Sequence, residues 1–356
     1  MASALGELPT HHGDATGWNN ARKIVVDHDG AVHIVYQLSL APGQERDLFV
    51  WARSENGRPW ETVSYEGRWP AIGIDPEANV IYITFVRRKA EGDELWLYWI
   101  SQSSRGERLI ASAAPHSLFY PAIAVAGGHV HLAWEAHRGR MSYIEYAKLG
   151  PSGEPLIETV AQNAPGLYFP SLAVGPDGPH LAWEEAIGPR RHRIVHGKRG
   201  PDGWEAGPVS GPELNARYPA LDYDPERDRY DLVFVNYATA GNAIYYRAFS
   251  SASWSGLERL SRGLEGGYWT FPTIEDGNVV WGRQVSAGCP VGPLWYLSLD
   301  SCSEPQVLEG EFAAFPHLFR RGDTLHLIWT DRDPEDPLLR LVRYRQLNTS
   351  SCRPQA

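Results

Sequence analysis

VHLAWE at 130–135 returns almost unchanged as PHLAWE at 179–184, and related strings stand at 32–36 (VHIVY) and 325–329 (LHLIW). In each, apolar and polar positions alternate with a period of two, the pattern of a β-strand. The aromatic that closes the string recurs as Tyr36, Phe85, Trp134, Trp183, Phe234, Trp281 and Trp329, at steps of about 50 residues, the size of a stacking repeat unit. A second marker, an aromatic followed by proline, keeps the same step: Trp69-Pro70, Tyr120-Pro121, Phe169-Pro170, Tyr218-Pro219, Phe271-Pro272 and Phe315-Pro316, with Asn20-Ala21 in the first unit. A third follows downstream: Trp51, Trp99, Tyr146, His196, Tyr246, Tyr296 and Tyr344. Three markers in register over seven units define a repeat.

Unit three reads as four strands joined by turns: PAIAVA (121–126), HVHLAWE (129–135), SYIEYAKL (142–149) and PLIETVA (155–161). Turns such as DHDG (27–30) and GPDG (175–178) suit tight hairpins. A four-stranded unit this small cannot cover both of its faces alone, so the units stack radially. The sequence therefore predicts an all-β chain and one domain, a seven-bladed β-propeller with four antiparallel strands per blade. The blades fall at 16–64, 65–112, 113–161, 162–210, 211–261, 262–309 and 310–349. The last unit lacks a convincing fourth strand, so residues 6–10 (GELPT) are expected to supply it and close the ring.

Composition narrows the function. The net charge of -10 and the absence of a basic block exclude a nucleic-acid backbone as main partner. No apolar run is long enough for a membrane span, and MASALGELPTHHGDA has no signal-peptide pattern. The expectation is a monomer whose ligand is a carbohydrate or another small polar molecule, with a protein partner as the alternative. A secreted or periplasmic location is favoured over others. There is no Gly-rich phosphate loop, no zinc spacing and no complete calcium-ligand spacing, so neither a cofactor nor a metal is expected. Of three cysteines, Cys302 and Cys352 are placed to pair in an oxidising compartment, and Cys289 reads as an unpaired small residue.

Within the repeated strand, Trp134, Trp183 and Trp329 read as wedges between blades. His33, His131, His180 and His326 read as imidazoles bonded inside the sheets, because a residue present in many blades serves the scaffold. Past the closing aromatic the periodicity ends and residue types diverge, and that is where a propeller can build a singular site around the mouth of its channel. The candidates there are Arg87, Glu135, Glu184, Tyr237, Arg283 and Asp331, joined by Arg68, Trp69, Tyr120, Tyr168, Arg217, Tyr268 and Trp269 from the loops that enter each first strand. Carboxylates, rings and guanidinium groups together suit an acidic sugar.

SENGRPW (54–60), GPDGW (200–204) and the repeated second strands resemble the sialidase-type propellers built from bacterial neuraminidase repeats, whose Asp box is Ser-x-Asp-x-Gly-x-x-Trp. That resemblance implies a glycoside hydrolase with three arginines on the sugar carboxylate and a tyrosine–glutamate nucleophile pair. By position these would be Arg87, Arg217 and Arg283, Tyr237 or Tyr268, and Glu135 or Glu184. The Arg-Ile-Pro signature of that family is missing, and ARKIVV offers only Arg22 near its place. Two other classes fit the same residues. A polysaccharide lyase would use Tyr or His as base, with His137 beside Glu135, and an Arg to neutralise a uronate. A non-catalytic scaffold would bind glycans or proteins.

Overall fold

The computed structural model describes residues 6–17, 21–43, 47–150, 154–164, 166–237, 242–264, 268–286, 289–290, 292–301, 304–309 and 312–348. Cys302 and Cys352 lie outside the described residues, as does the side chain of Cys289. Among the described residues every regular element is a strand, and none is a helix able to cross a membrane. The strands form seven antiparallel sheets. Blade 3 shows the plan, with strand A at Leu118–Ala126, B at His129–Arg138, C at Met141–Leu149 and D at Leu156–Asn163. Strand A is innermost and D outermost. Two blades vary: the outer edge of blade 5 is split into Ser253–Trp254 and Glu258–Arg259, and Cys289–Pro290 adds to strand B of blade 6.

Blade 7 closes the ring as expected. Its strands Ala314–Arg321, Thr324–Arg332 and Arg340–Asn348 are completed by Leu8–Thr10, with Leu8 opposite Val342 and Thr10 opposite Arg340. Leu8 and Thr10 are each 2% exposed, so the clasp is a buried strand.

The three sequence markers become three radial layers of packing. The closing aromatics of the B strands are all buried, five of them at 1% exposure or less (Phe85, Trp134, Trp183, Phe234 and Trp281). Each stabilises the blade stack by about 1.5–3 kcal/mol through burial. Further out, the strand-C marker is bonded to the polar residue three before the closing aromatic. His131 Nδ1 lies 2.6 Å from Tyr146 Oη, His180 Nδ1 2.9 Å from His196 Nε2, and His326 Nδ1 2.8 Å from Tyr344 Oη, while Trp51 Nε1 donates to His33 Nδ1. Where Asp or Asn replaces the histidine, the bond survives: Tyr246 donates to Asp231 and Tyr296 to Asn278, both at 2.8 Å. Burial pushes His131, His180 and His326 down to about 4 and His196 to about 3. These imidazoles are neutral hydrogen-bonding members of the sheets.

Tryptophans at the C-to-D turns of blades 1, 4 and 5 then key these blades to the ones before them. Trp204 packs edge-on to Tyr146, Trp254 to His196, and Trp60 to Tyr344 across the ring closure. Trp60 ends the SENGRPW turn, in which Ser54 Oγ donates to Arg58 O at 2.6 Å and Asn56 and Gly57 take positive φ.

Candidate functional site

The innermost layer is made by the aromatic–proline pairs. Trp69, Tyr120, Phe169, Tyr218, Phe271 and Phe315 all adopt φ between 46° and 53°. Each sits at a register break in its A strand, such as Phe119/Ala122 and Tyr168/Ser171. A left-handed backbone costs a bulky residue about 1–2 kcal/mol, so repetition at six places calls for a compensating contact. The contact is ring on ring: successive centroids are 4.8, 4.8, 5.4, 4.9 and 4.3 Å apart from Trp69 round to Phe315, each pair tilted by 43–51°. The rings form a collar around the channel near the end where B strands lead into C strands.

The residue after the closing aromatic braces this collar. Gln37 Oε1 accepts from the Trp69 N–H at 2.5 Å, Glu135 Oε2 from Phe169 at 3.4 Å, and Glu184 Oε2 from Tyr218 at 3.4 Å. Each thereby ties its blade to the next one. Glu135 and Glu184 are 2% and 0% exposed, well inside the position that the sequence assigns to a mouth.

Above the collar, blades 2 to 5 bring one polar set together. His137 Nε2 is 2.8 Å from Glu135 Oε1, and the His137 ring packs on Phe119 at 5.0 Å. On the next blade His192 Nδ1 is 2.7 Å from Glu184 Oε1, which also accepts from Arg217 Nε at 2.9 Å. Burial raises the Glu135 carboxyl above its usual range, against the pull of His137. Tyr168, 6.1 Å from the His192 ring, has its phenol raised by burial and then by Glu135 and Glu184 together. Burial, with Glu135 adding to it, holds Tyr120 up at about 12. Arg217 lies over Tyr218 and Tyr237, and Arg88 over Trp69 and Phe119. Arg68 pairs with Asp47 at 2.8 Å and covers the outer side of Trp69. Of the sequence candidates, then, Arg68, Trp69, Tyr120, Glu135, Tyr168, Glu184, Arg217 and Tyr237 are gathered here.

The others are placed elsewhere, and strand parity explains it. Counting from the closing aromatic, the first and third residues turn one way and the second the other. Arg87 is a second residue: it stacks over Trp96 and reaches Glu107 on the outer strand at 3.4 Å. Arg283 is another, exposed over the Trp269 ring, and Asp331 a third, 3.9 Å from Arg343. Trp269 is a core residue, 2% exposed, with Nε1 bonded to Leu264 O. Tyr268 begins its strand, and its side chain lies outside what is described. Sequence reasoning noted Arg88 beside Arg87 past the aromatic but chose Arg87 for the site, and it missed His192. Parity would have favoured Arg88. His192 sits on strand C opposite Ala186, a register that only the fold supplies.

The other end of the channel, at the A-to-B turns, holds a cavity of about 270 Å³. Arg22 crosses it to Glu275 (2.6 Å) and Asp222 (3.6 Å). Burial raises Glu275 to about 7 and Asp222 well above the carboxylate range. In blades 2, 3 and 4 Gly73, Ala124 and Ala173 occupy the place of these two acids.

No known family profile and no curated protein matches the chain. Solved structures do match its fold. An ulvan lyase of polysaccharide lyase family PL25, bound to -[GlcA(1-4)Rha3S]-, aligns with TM-score 0.58 and 11% identity over 96% of this chain and 98% of its own. The polysaccharide lyase Uly1 aligns with TM-score 0.54 and 11% identity over 92% and 90%. The GH93 α-L-arabinofuranosidase of Fusarium graminearum aligns with TM-score 0.53 and 11% identity over 97% and 98%. The acylaminoacyl peptidase of Pyrococcus horikoshii also aligns, but this chain spans about half of its length, 54%. The fold is that of distantly similar carbohydrate-active propellers, and none of these matches singles out the sialidase branch.

Proposed function

We propose that the mouth above the collar cleaves a uronate-containing polysaccharide by β-elimination. The observation that carries this reading is the pair of imidazoles seated on buried carboxylates of adjacent blades, with Tyr168 and Arg217 in the same group. Arg217 uses Nε on Glu184, and neither terminal nitrogen has a hydrogen bond among the described residues, which leaves the fork for a substrate carboxylate. Such a contact neutralises the uronate and stabilises the enolate formed when the C5 proton leaves. His137, its side chain 34% exposed and held by Glu135, takes that proton. The electron pair forms the C4–C5 double bond, the C4–O4 bond breaks, and the departing oxygen collects a proton from Tyr168. A phenol raised by two carboxylates keeps its proton at neutral pH, so donor is the role it suits. The likeness in fold to two polysaccharide lyases supports the same class. A polymer of this kind favours a location outside the cytoplasm.

A sialidase-like hydrolase is the second reading. It has less support, since the three-arginine grip would need Arg87 and Arg283, which are placed away from Arg217. Absorbance of unsaturated uronates, followed over a panel of uronate polysaccharides and run beside fluorogenic sialosides, separates the two. His137→Ala and Tyr168→Phe are expected to lower kcat by about 10²-fold or more. Glu184→Gln keeps an amide acceptor for Tyr218 and is expected to stay folded while raising KM. Sialoside release, or glycan binding without turnover of any uronate, overturns the proposal.

A further inference from the structure

We propose that the A-to-B end of the channel is a second binding site, for a small organic cation that carries a compact apolar body. The cavity there is lined by apolar side chains, Ile74, Ile123, Val125, Leu172, Val174 and Ile274 among them, and by the charged Arg22, Asp222, Glu275 and Asp276. Three carboxylates face one guanidinium. Arg320, the next nearest cation, is committed at the rim to Glu226 at 3.3 Å and lies 4.0 Å from Asp276.

The room is built into the sequence. At the strand position that carries Asp222 and Glu275, blades 2, 3 and 4 have Gly73, Ala124 and Ala173, so three small residues face two acids. Glu275 is satisfied: Oε2 accepts from Arg22 and Oε1 from the Arg320 N–H. Asp222 is not. It is 8% exposed, Oδ2 takes the Asp276 N–H at 2.8 Å, and Oδ1 has no hydrogen bond among the described residues, with Arg22 at 3.6 Å beyond hydrogen-bond reach. A carboxylate oxygen that opens onto a cavity in this way favours a donor that brings its own positive charge. An ammonium meets Asp222 Oδ1 while its hydrocarbon part covers the apolar wall. The lining of this chamber shares no residue with the mouth, so the site is independent of the eliminative reading.

The probe is benzylammonium, with benzyl alcohol as its neutral counterpart, titrated calorimetrically into the full chain at constant ionic strength. Benzylammonium is expected to bind at one site and to raise the melting temperature, with benzyl alcohol at least about tenfold weaker, the scale of one charged hydrogen bond. Asp222→Asn is expected to remove that difference, and Glu275→Gln, a second variant, to reduce it. Equal affinity for the two probes, no binding of either, or a preference that survives Asp222→Asn overturns the proposal and leaves the cluster as a strut between blade 1 and blades 5 and 6. If the variants fail to fold, the comparison of the two probes on the unaltered chain still decides.

Discussion

Lys23 precedes Ile24, which pairs with Ile34, and so occupies the strand position that holds Ala71, Ala122, Ser171, Ala220, Thr273 and His317 in the other six blades. It is 2% exposed, and its one hydrogen bond among the described residues runs from Nζ to Pro70 O at 2.5 Å. Burial lowers its pKa from 10.5 to about 7. A difference of about 3.5 units corresponds to about 5 kcal/mol between protonation states. The unfolded lysine binds a proton that the folded one releases, so stability rises with pH between about 7 and 10.5 and the full penalty stands below 7. At pH 7 about 4 kcal/mol opposes folding, and at pH 9 about 2 kcal/mol. Lys23→Met keeps the length of the side chain and leaves the Pro70 carbonyl without its donor, a loss of about 1–2 kcal/mol. The variant should therefore be about 2–3 kcal/mol more stable than the parent at pH 7, and the gap should shrink by about 2 kcal/mol by pH 9. Urea unfolding at the two pH values, followed by tryptophan fluorescence and by far-ultraviolet circular dichroism, measures both quantities. A gap that does not change with pH, or a variant weaker than the parent at pH 7, refutes the reasoning and means that the ammonium keeps its charge in the fold.

Removal of residues 1–15 takes away the buried strand Leu8–Thr10 and the Ala15 carbonyl that accepts from the Gln37 N–H, and it should lower Tm far more than removal of residues 350–356; equal effects refute the clasp. Leu8→Ala alone should cost about 2–4 kcal/mol. The depressed pKa of His326 makes the unfolded state the better proton binder between pH 6.5 and about 4, so its contribution to stability is lost as pH falls through that window. His326→Asn copies Asn278, which accepts from Tyr296, and should lose less stability than the parent between pH 6.5 and 5 in urea titrations; an equal loss refutes the assignment of a neutral imidazole.

The ring was legible because a period survives many substitutions. Phe can stand for Trp at the closing position, and Asp or Asn for His three residues earlier, without breaking the bond to strand C. The mouth was legible only to the precision of a strand end. Taking every charged residue past the aromatic mixed two faces, and Arg87 and Asp331 went in with Glu135 although one residue of parity separates them. Lys23, Asp222 and Glu275 stood in full view in the sequence. They drew no reading because a polar residue in a strand that lines a channel looks the same as one on a solvated face, and only the closed ring makes that position buried.

The collar also bears on why two of its braces are charged. Any acceptor can hold the N–H of a left-handed aromatic: blade 1 uses the neutral Gln37, and Thr330 of blade 7 accepts from the Thr16 N–H at the same strand position. Blades 2, 5 and 6 have Val86, Val235 and Gly282 there, with no side-chain acceptor at all. A buried carboxylate is costlier than an amide by several kcal/mol unless it gains a cation or further donors. The scaffold thus does not require the charge of Glu135 and Glu184, and what that charge does acquire is His137 on one blade, and His192 with Arg217 on the next. The repeat accounts for the position of these side chains, and only the site accounts for their being acids.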